Sequence, residues 1–492
     1  MNVRKRIGKV ILVSLLLHLF FFSQQEPRAF AEEDLKNTID KYVESYLEEQ
    51  RIPGASIAIV KDSELFYSQG WGVTGESEEA VTTQTPFTVG SISKSLTGLA
   101  IMKLIEEGTV QLDDPIQMYL PWFSLKDKEA ASKITIEQLL TQTSGISTYS
   151  GLLLSDQGSQ DFNAIKNNVE SLSDTKLTAT PGQKHQYSNA NYLILGALIE
   201  EVTNQAYSEY MEEQVFSPLG MNNAAADHDT AYERGYLAGY QSWFGIPRKS
   251  SVTYDNGGAP YGYITASADD MVQFIHFLSQ QDGNSLLNEK YMNLYLTPHV
   301  QTGDNRFYGL GVRISNPYSE DQMVWHSGST PDSHSEVFYL PESKWGGVIL
   351  TNKNHALEEM ALVNLKQGMI NILHGDEPVE ISKFNPIAQL IILGIAVLLI
   401  LLFVYRLITV KSVKVRRRKR WSIIGMLLLV LAFAIKPVFS YSVGSPWHSI
   451  KVFGPDVAFL TNLMMILLAL NGILSIYISL KYKRSKEHVI AA

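Results

Sequence analysis

The chain has 492 residues, a formal net charge of −9 at pH 7 and no cysteine, which excludes disulfides, a thiol nucleophile and a thiolate metal site. The charge is unevenly placed: residues 385–492 carry a net +12, residues 1–31 a net +4 and residues 32–384 a net −25. An acidic block of that size excludes nucleic acid as a natural partner, and the positive charge belongs to apolar segments at either end.

Residues 1–31 read as a secretory signal peptide. Arg4, Lys5, Arg6 and Lys9 start it, Val10 to Phe22 is apolar, and Ala29-Phe30-Ala31 supplies small residues for cleavage. An uncleaved anchor is the alternative, although the run is short for a span. Leu35, Ile39, Val43, Tyr46 and Leu47 predict an amphipathic helix ending near Pro53-Gly54. Ala55–Val60 and Leu65–Ser68 predict two strands.

The stretch Phe87 to Gly98 carries the chemistry. Gly90 precedes Ser91, and Ile92, Leu96, Leu99, Ile101, Met102, Leu104 and Ile105 recur at helical spacing until Gly108. Ser91 thus falls at the helix N-terminus, with Lys94 one turn on along the same face. A serine hydroxyl needs a base to become a nucleophile, and a lysine serves once burial disfavours its charge. The helix N-terminus adds positive potential and a free N–H for an oxyanion. Ser173-Asp174-Thr175-Lys176 shows the same spacing but lies in a polar stretch read as a loop.

Ile136–Thr141 predicts a short helix entering Thr143-Ser144-Gly145. Ser147–Gln183 is polar, and its Leu152-Leu153-Leu154 patch predicts a local helix or a lid over the cleft. Tyr187-Ser188-Asn189 precedes an apolar helix from Leu193 to Val202. A Tyr oxygen beside a neutral Lys can pass a proton from serine to leaving group, and Asn189 can orient substrate or Lys94. Tyr254-Asp255-Asn256 and Tyr291-Met292-Asn293 share that spacing, so spacing alone decides nothing.

Tyr207–Val215 continues helically, residues 222–262 read as loop, and Ser267-Ala268-Asp269-Asp270 caps a helix through Leu278. Strands follow at Tyr308–Ile314, Met323–Trp325, Glu336–Leu340 and Gly347–Thr351, then a helix from Ala356 to Leu373. The segment Trp325-His326-Ser327-Gly328-Ser329 contains the one His-x-Gly of the chain. Gly328 lets backbone approach a bound acyl group, the Ser329 N–H is a second oxyanion donor, and His326 is placed to bind a substrate carboxylate. Strands at both ends with helices between predict an α+β fold: one antiparallel sheet built from both termini, a helical subdomain, and a cleft between them.

Three apolar runs, about 387–405, 421–438 and 457–480, are each long enough to cross a bilayer of about 30 Å. Basic clusters at Lys411–Arg420 and Lys481–Lys486 place both flanks in the cytoplasm and Tyr441–Asp456 outside. Residues 32–384 then lie outside, the side the signal peptide also requires. Three segments follow: signal peptide 1–31, extracytoplasmic domain 32–384 and membrane region 385–492. Lys436, near the outer end of the second span, snorkels.

Ser91-Ile92-Ser93-Lys94, Tyr187-Ser188-Asn189 and His326-Ser327-Gly328 stand in the order found in the penicillin-binding-protein and class C β-lactamase-like serine hydrolases, which this chain resembles over about residues 35–372. Leu112-Asp113-Asp114-Pro115, Leu139 to Gly145, Pro218-Leu219-Gly220-Met221 and Tyr308-Gly309-Leu310-Gly311 extend the resemblance. It implies a β-lactamase/DD-peptidase-like fold and an acyl-enzyme on Ser91, with Lys94 and Tyr187 handling protons. Asn189, His326, Gly328 and Ser329 form the substrate and oxyanion side. The substrate class is a small peptide containing a D-amino acid, or an ester, and no cofactor or metal is implied.

His326 stands where penicillin-recognising members carry Lys, which implies weak or no β-lactamase activity. Gln142 stands where many relatives have His. The layout also resembles membrane-bound peptidases that activate nonribosomal-peptide prodrugs by removing an acylated D-Asn cap. Those carry an acid where this chain has Thr88. A non-catalytic binder or sensor of cell-wall peptides is the remaining alternative.

Overall fold

The computed structural model describes residues 32–75, 77–279, 286–318, 321–410 and 418–490. The signal-peptide expectation, and most of the basic cluster between the first two apolar runs, fall outside them.

Helix α1 (Glu32–Gln50) begins with Glu32, Glu33 and Asp34, where negative charge favours a helix start, and buries Ile39, Val43, Tyr46 and Leu47 along one stripe. Strands β1 (Gly54–Lys61) and β2 (Glu64–Gly72) follow. The other principal helices ahead of the C-terminal apolar runs are α2 (Ser93–Glu106), α3 (Asn189–Thr203), α4 (Ala268–Ser279) and α5 (Glu359–Leu373). Between α4 and α5 run β3 (Val300–Gly303), β4 (Arg306–Tyr308), β5 (Arg313–Tyr318), β6 (Asp321–Thr330), β7 (Ser333–Leu340) and β8 (Trp345–Thr351).

These eight strands form one antiparallel sheet in the order β2-β1-β8-β7-β6-β5-β4-β3. The join between chain ends is β1 against β8, from Ala55↔Thr351 to Lys61↔Trp345. Strand alternation separates two cores. Ile57 and Ile59 face α1 and α5, together with Phe338, Leu365 and Met369. Ala58 and Val60 face the helical region, whose core includes Leu96, Leu99, Leu195, Leu198 and Phe274. Covering both faces of β1 explains the unbroken apolar run from Ile57 to Val60. This is the α+β arrangement expected from the sequence.

Four local readings differ. Residues 222–262 hold a helix, His228–Glu233, and a strand pair, Tyr240–Trp243 with Ile246–Lys249, joined in parallel by Lys353–Asn354. The pair is too short to show a period, and Phe244-Gly245 forms its turn with positive φ at both residues. The expected strand Tyr308–Ile314 is split into β4 and β5 around Gly311, whose φ is +105°. Strand β6 runs well beyond Met323–Trp325, because its polar half from His326 onward carries no apolar pattern. Strand β3 is exposed and polar, and nothing in its sequence marks it.

Beyond α5 come α6 (Ile387–Thr409), α7 (Arg418–Val443), α8 (Trp447–Phe453) and α9 (Pro455–Ile490). Among the described residues three helical stretches are long and apolar enough to cross a membrane: Ile387–Thr409, Lys419–Val443 and Pro455–Leu480, with mean hydropathies of 3.1, 2.3 and 2.2. Gly425 and Gly472 let α7 and α9 touch closely, since a Cβ on Gly425 would lie 2.8 Å from the Gly472 carbonyl oxygen. The Lys436 ammonium sits 4.8 Å above the Trp447 ring, at one end of this bundle.

One buried charge pair ties α5 to the sheet. Glu336 on β7 is fully buried, 2.7 Å from Lys366 Nζ and 3.2 Å from His334 Nε2. Burial alone would raise its carboxyl pKa, but Lys366 and His334 outweigh burial and hold it below the ordinary value. The stability it contributes is present above the unfolded carboxyl's pKa and is lost as pH falls through the lowered folded one. Lys366→Ala strands the carboxylate and is expected to cost about 3–5 kcal/mol in denaturant unfolding at neutral pH. A loss below ~1 kcal/mol would contradict the pairing.

Candidate active site

Gly90-Ser91-Ile92 makes one 3₁₀ turn that feeds into α2. Gly90 has a φ of +54°, and a Cβ there would sit 2.2 Å from the Ser329 nitrogen. A Cβ on Gly328 would sit 2.0 Å from the Val89 oxygen and 2.6 Å from the Ser91 nitrogen. The turn and β6 therefore meet backbone to backbone, which only glycine permits on either side. This contact sets Ser91 beside Gly328 and Ser329.

Helix α2 is buried almost all round, from Ser93 to Met102. Lys94 is 0% exposed, its Nζ 2.9 Å from Ser91 Oγ and 2.7 Å from the Tyr261 carbonyl oxygen. Among the described residues no carboxylate pairs with it directly. Burial pushes its pKa well below the ordinary lysine value, the Arg313 charge lowers it further, and Asp156 opposes them. A neutral amine suits these contacts: one N–H donates to the Tyr261 carbonyl, and the lone pair faces the Ser91 proton.

The Tyr187 ring centroid lies 4.9 Å from Lys94 Nζ. The Tyr187 hydroxyl is buried and directed at Ser91 and Arg313, short of full hydrogen-bond geometry with either. Burial raises its pKa, partly offset by Arg313 and Ser91, so the phenol keeps its proton. Ser91, Tyr187, Asn189, Arg313, Ser327 and Ser329 line one pocket of about 240 Å³. Asn189 begins α3 and hydrogen-bonds Ser155 Oγ at 2.9 Å rather than Lys94.

With this geometry in place the comparisons with known proteins are informative. The family profile described as Beta-lactamase matches residues 39–367. The chain belongs to the β-lactamase family. Within it, the chain is 29% identical over 416 residues to Protein flp of Staphylococcus aureus (strain N315), covering 82% of this chain and 81% of that protein. It is 28% identical over 229 residues to Penicillin-binding protein 4 of Amycolatopsis lactamdurans, covering 46% of this chain and 59% of that one. A solved structure described as the octameric penicillin-binding protein homologue from Pyrococcus abyssi superposes with a TM-score of 0.62 at 25% identity, covering 73% of this chain and 81% of that chain. Membership carries the general enzyme class, a serine hydrolase.

His326 lies beside Tyr187, behind the surface of the pocket. It is 1% exposed and shares its strand face with Val324 of the larger core; its ring packs behind the pocket wall, 6.3 Å from the Tyr187 ring centroid. Its Nδ1 lies 2.7 Å from the Ser327 oxygen and its Nε2 3.4 Å from the Tyr308 hydroxyl. Burial, then Arg313 and Lys94, push its pKa well below the ordinary value, so the ring is neutral and offers a carboxylate no charge.

The cation at the pocket is Arg313, which the sequence reading missed. Its guanidinium stacks 5.1 Å from the Tyr187 ring centroid, 5.6 Å from Tyr308 and 5.5 Å from Trp325, and its Nε is buried without a hydrogen-bond partner. Arg313 pairs with Trp325 across β5 and β6, a register no motif announces. Tyr261 was missed because it acts through its backbone carbonyl. Gln142 is structural here: its Oε1 accepts from the Ser188 N–H at 2.9 Å, holding the Tyr187 segment.

Gly90→Ala is expected to slow labelling of Ser91 by a fluorophosphonate about tenfold or more, because the turn must leave β6. Labelling at the wild-type rate would show that the backbone contact does not position the serine.

Proposed function

We propose that this protein is a membrane-anchored extracytoplasmic serine hydrolase that forms an acyl-enzyme on Ser91 and cleaves short peptides containing D-amino acids, or esters. The observation that carries the reading is the enclosed Lys94 amine, 2.9 Å from Ser91 Oγ with its charge disfavoured.

In the first half-reaction Lys94 takes the Ser91 proton as Oγ bonds to the substrate carbonyl carbon. The N–H groups of Ser91 and Ser329 stabilise the oxyanion. Tyr187, whose hydroxyl is directed at Ser91, delivers the proton to the leaving nitrogen or oxygen as that bond breaks. Water then attacks the ester by the same route in reverse, giving up its proton to the Lys94–Tyr187 pair and returning the serine. Asn189 borders the acyl group.

Arg313 supports a substrate with a free carboxylate, since a guanidinium with an unpaired buried N–H is matched by that group. This favours a peptide terminus over a simple ester. The neutral His326 supports weak or absent β-lactamase activity. The prodrug-peptidase reading is the narrower alternative. Against it, Thr88, which stands where those enzymes have an acid, is buried and hydrogen-bonded to Thr330 at 3.0 Å.

We further propose that residues 1–31 are a signal peptide and that 32–384 lie outside the cell. The three spans would anchor them, with the basic flanks inside by the positive-inside rule.

Ser91→Ala is expected to abolish both probe labelling and hydrolysis, measured by mass spectrometry and product release. Retained hydrolysis would remove the assignment. Arg313→Gln is expected to raise KM for a carboxylate-ended peptide about 10- to 100-fold while sparing its C-terminal amide. Equal effects on both would show that Arg313 does not read the carboxylate.

A further inference from the structure

The pocket is polarised along β6. Arg313 pairs with Trp325 at one end, and four residues on the Ser329 hydroxyl donates to Glu359 Oε1 at 2.6 Å. Four residues of strand span about 13 Å, so the strand positions that carry the cation and the carboxylate lie that far apart along β6. Asp156, whose Oδ1 accepts from the Tyr263 hydroxyl at 2.8 Å, lines the same pocket. So does Tyr261, 3% exposed, whose hydroxyl is directed at Ser155 and the Asp156 backbone.

The Glu359 end is shared with the segment that joins the second and third apolar helices. Residues 444–456 hold both rims of the cleft at once. On the helical rim, Ser449 Oγ donates to the Leu152 oxygen at 3.4 Å, and His448 Nε2 lies 2.7 Å from the Asp156 carbonyl oxygen. On the sheet rim, the Ala356 N–H donates to the Phe453 oxygen at 2.8 Å, and Gln241 Nε2 to the Val452 oxygen at 2.6 Å. Asp456 completes the clasp, 2.9 Å from His355 Nε2 and accepting from the Phe244 N–H at 2.9 Å. Held this way, Phe453 lines the catalytic pocket beside Leu152, Asp156 and Glu359.

We infer that this outer hairpin ends the cleft, so that the site takes a short acyl group whose free amine lies against Asp156 and Glu359. The inference rests on the acyl-enzyme reading and deepens it. The carboxylate of the leaving residue would sit at Arg313, the scissile carbonyl at Ser91, and the acyl amine at the hairpin. Phe453 blocks extension beyond that point. The spans thereby shape specificity as well as anchor the enzyme.

The test uses the full chain in detergent and three dipeptides that differ at the amine: D-Ala-D-Ala, its N-acetyl form and its N-decanoyl form. Each is read by how well it protects Ser91 from fluorophosphonate labelling. In the wild type the free-amine peptide should protect at about tenfold lower concentration than the N-decanoyl form. Phe453→Ala should erase most of the discrimination against the decanoyl chain, and Glu359→Gln the preference for free amine over N-acetyl. The same order and spacing in all three proteins, or a wild type that favours the decanoyl peptide, would overturn the inference. A wild type that is not labelled at Ser91 at all would overturn the acyl-enzyme reading instead.

Discussion

Placing the Lys94 amine out of water is the constraint on which the rest of the site depends. An ammonium in that position has no carboxylate among the described residues touching it and faces Arg313 nearby, so its proton is the least costly thing to lose. Each neighbouring feature serves that enclosure. Helix α2 is buried from Ser93 to Met102, the Tyr261 carbonyl takes one N–H, and the rings of Tyr187, Tyr192 and Tyr261 lie 4.9, 6.0 and 5.6 Å from the nitrogen. The two-core architecture makes this burial possible, because α2 lies in the larger core between the sheet and the other helices.

The same architecture brings distant segments together. Ser91 follows β2, Tyr187 precedes α3, and β6 comes more than a hundred residues later, yet Gly90 and Gly328 touch. The sheet assembled from both chain ends holds that contact in register, with Glu336 and Lys366 fastening α5 behind it. The C-terminal helices add a third contribution through His355 and Asp456, which join residues 32–384 to the start of the last apolar helix.

Much of this was legible in the sequence because period and punctuation are strong where packing is two-sided. The β1 run, the α2 and α3 stripes and the three apolar runs all identified themselves. Ser91, Lys94 and Tyr187 were nameable because their spacing and order carry the family's pattern. What stayed hidden depended on long-range register or on backbone atoms. Arg313 reaches the pocket through its pairing with Trp325, Tyr261 contributes a carbonyl, and Phe453 arrives from beyond the second apolar helix. His326 sits beside Tyr187 as a buried ring, and burial removes the charge that its residue type suggests.

The most direct measurement is the titration of Lys94 itself in the full-length protein, by pH-dependent modification with an amine-reactive reagent and mass spectrometry of the α2 peptide. The account predicts an amine that titrates well below an ordinary lysine and that returns toward the ordinary value when the surrounding fold is denatured. A folded-state titration at about 10.4, the value of an unperturbed lysine, would contradict it.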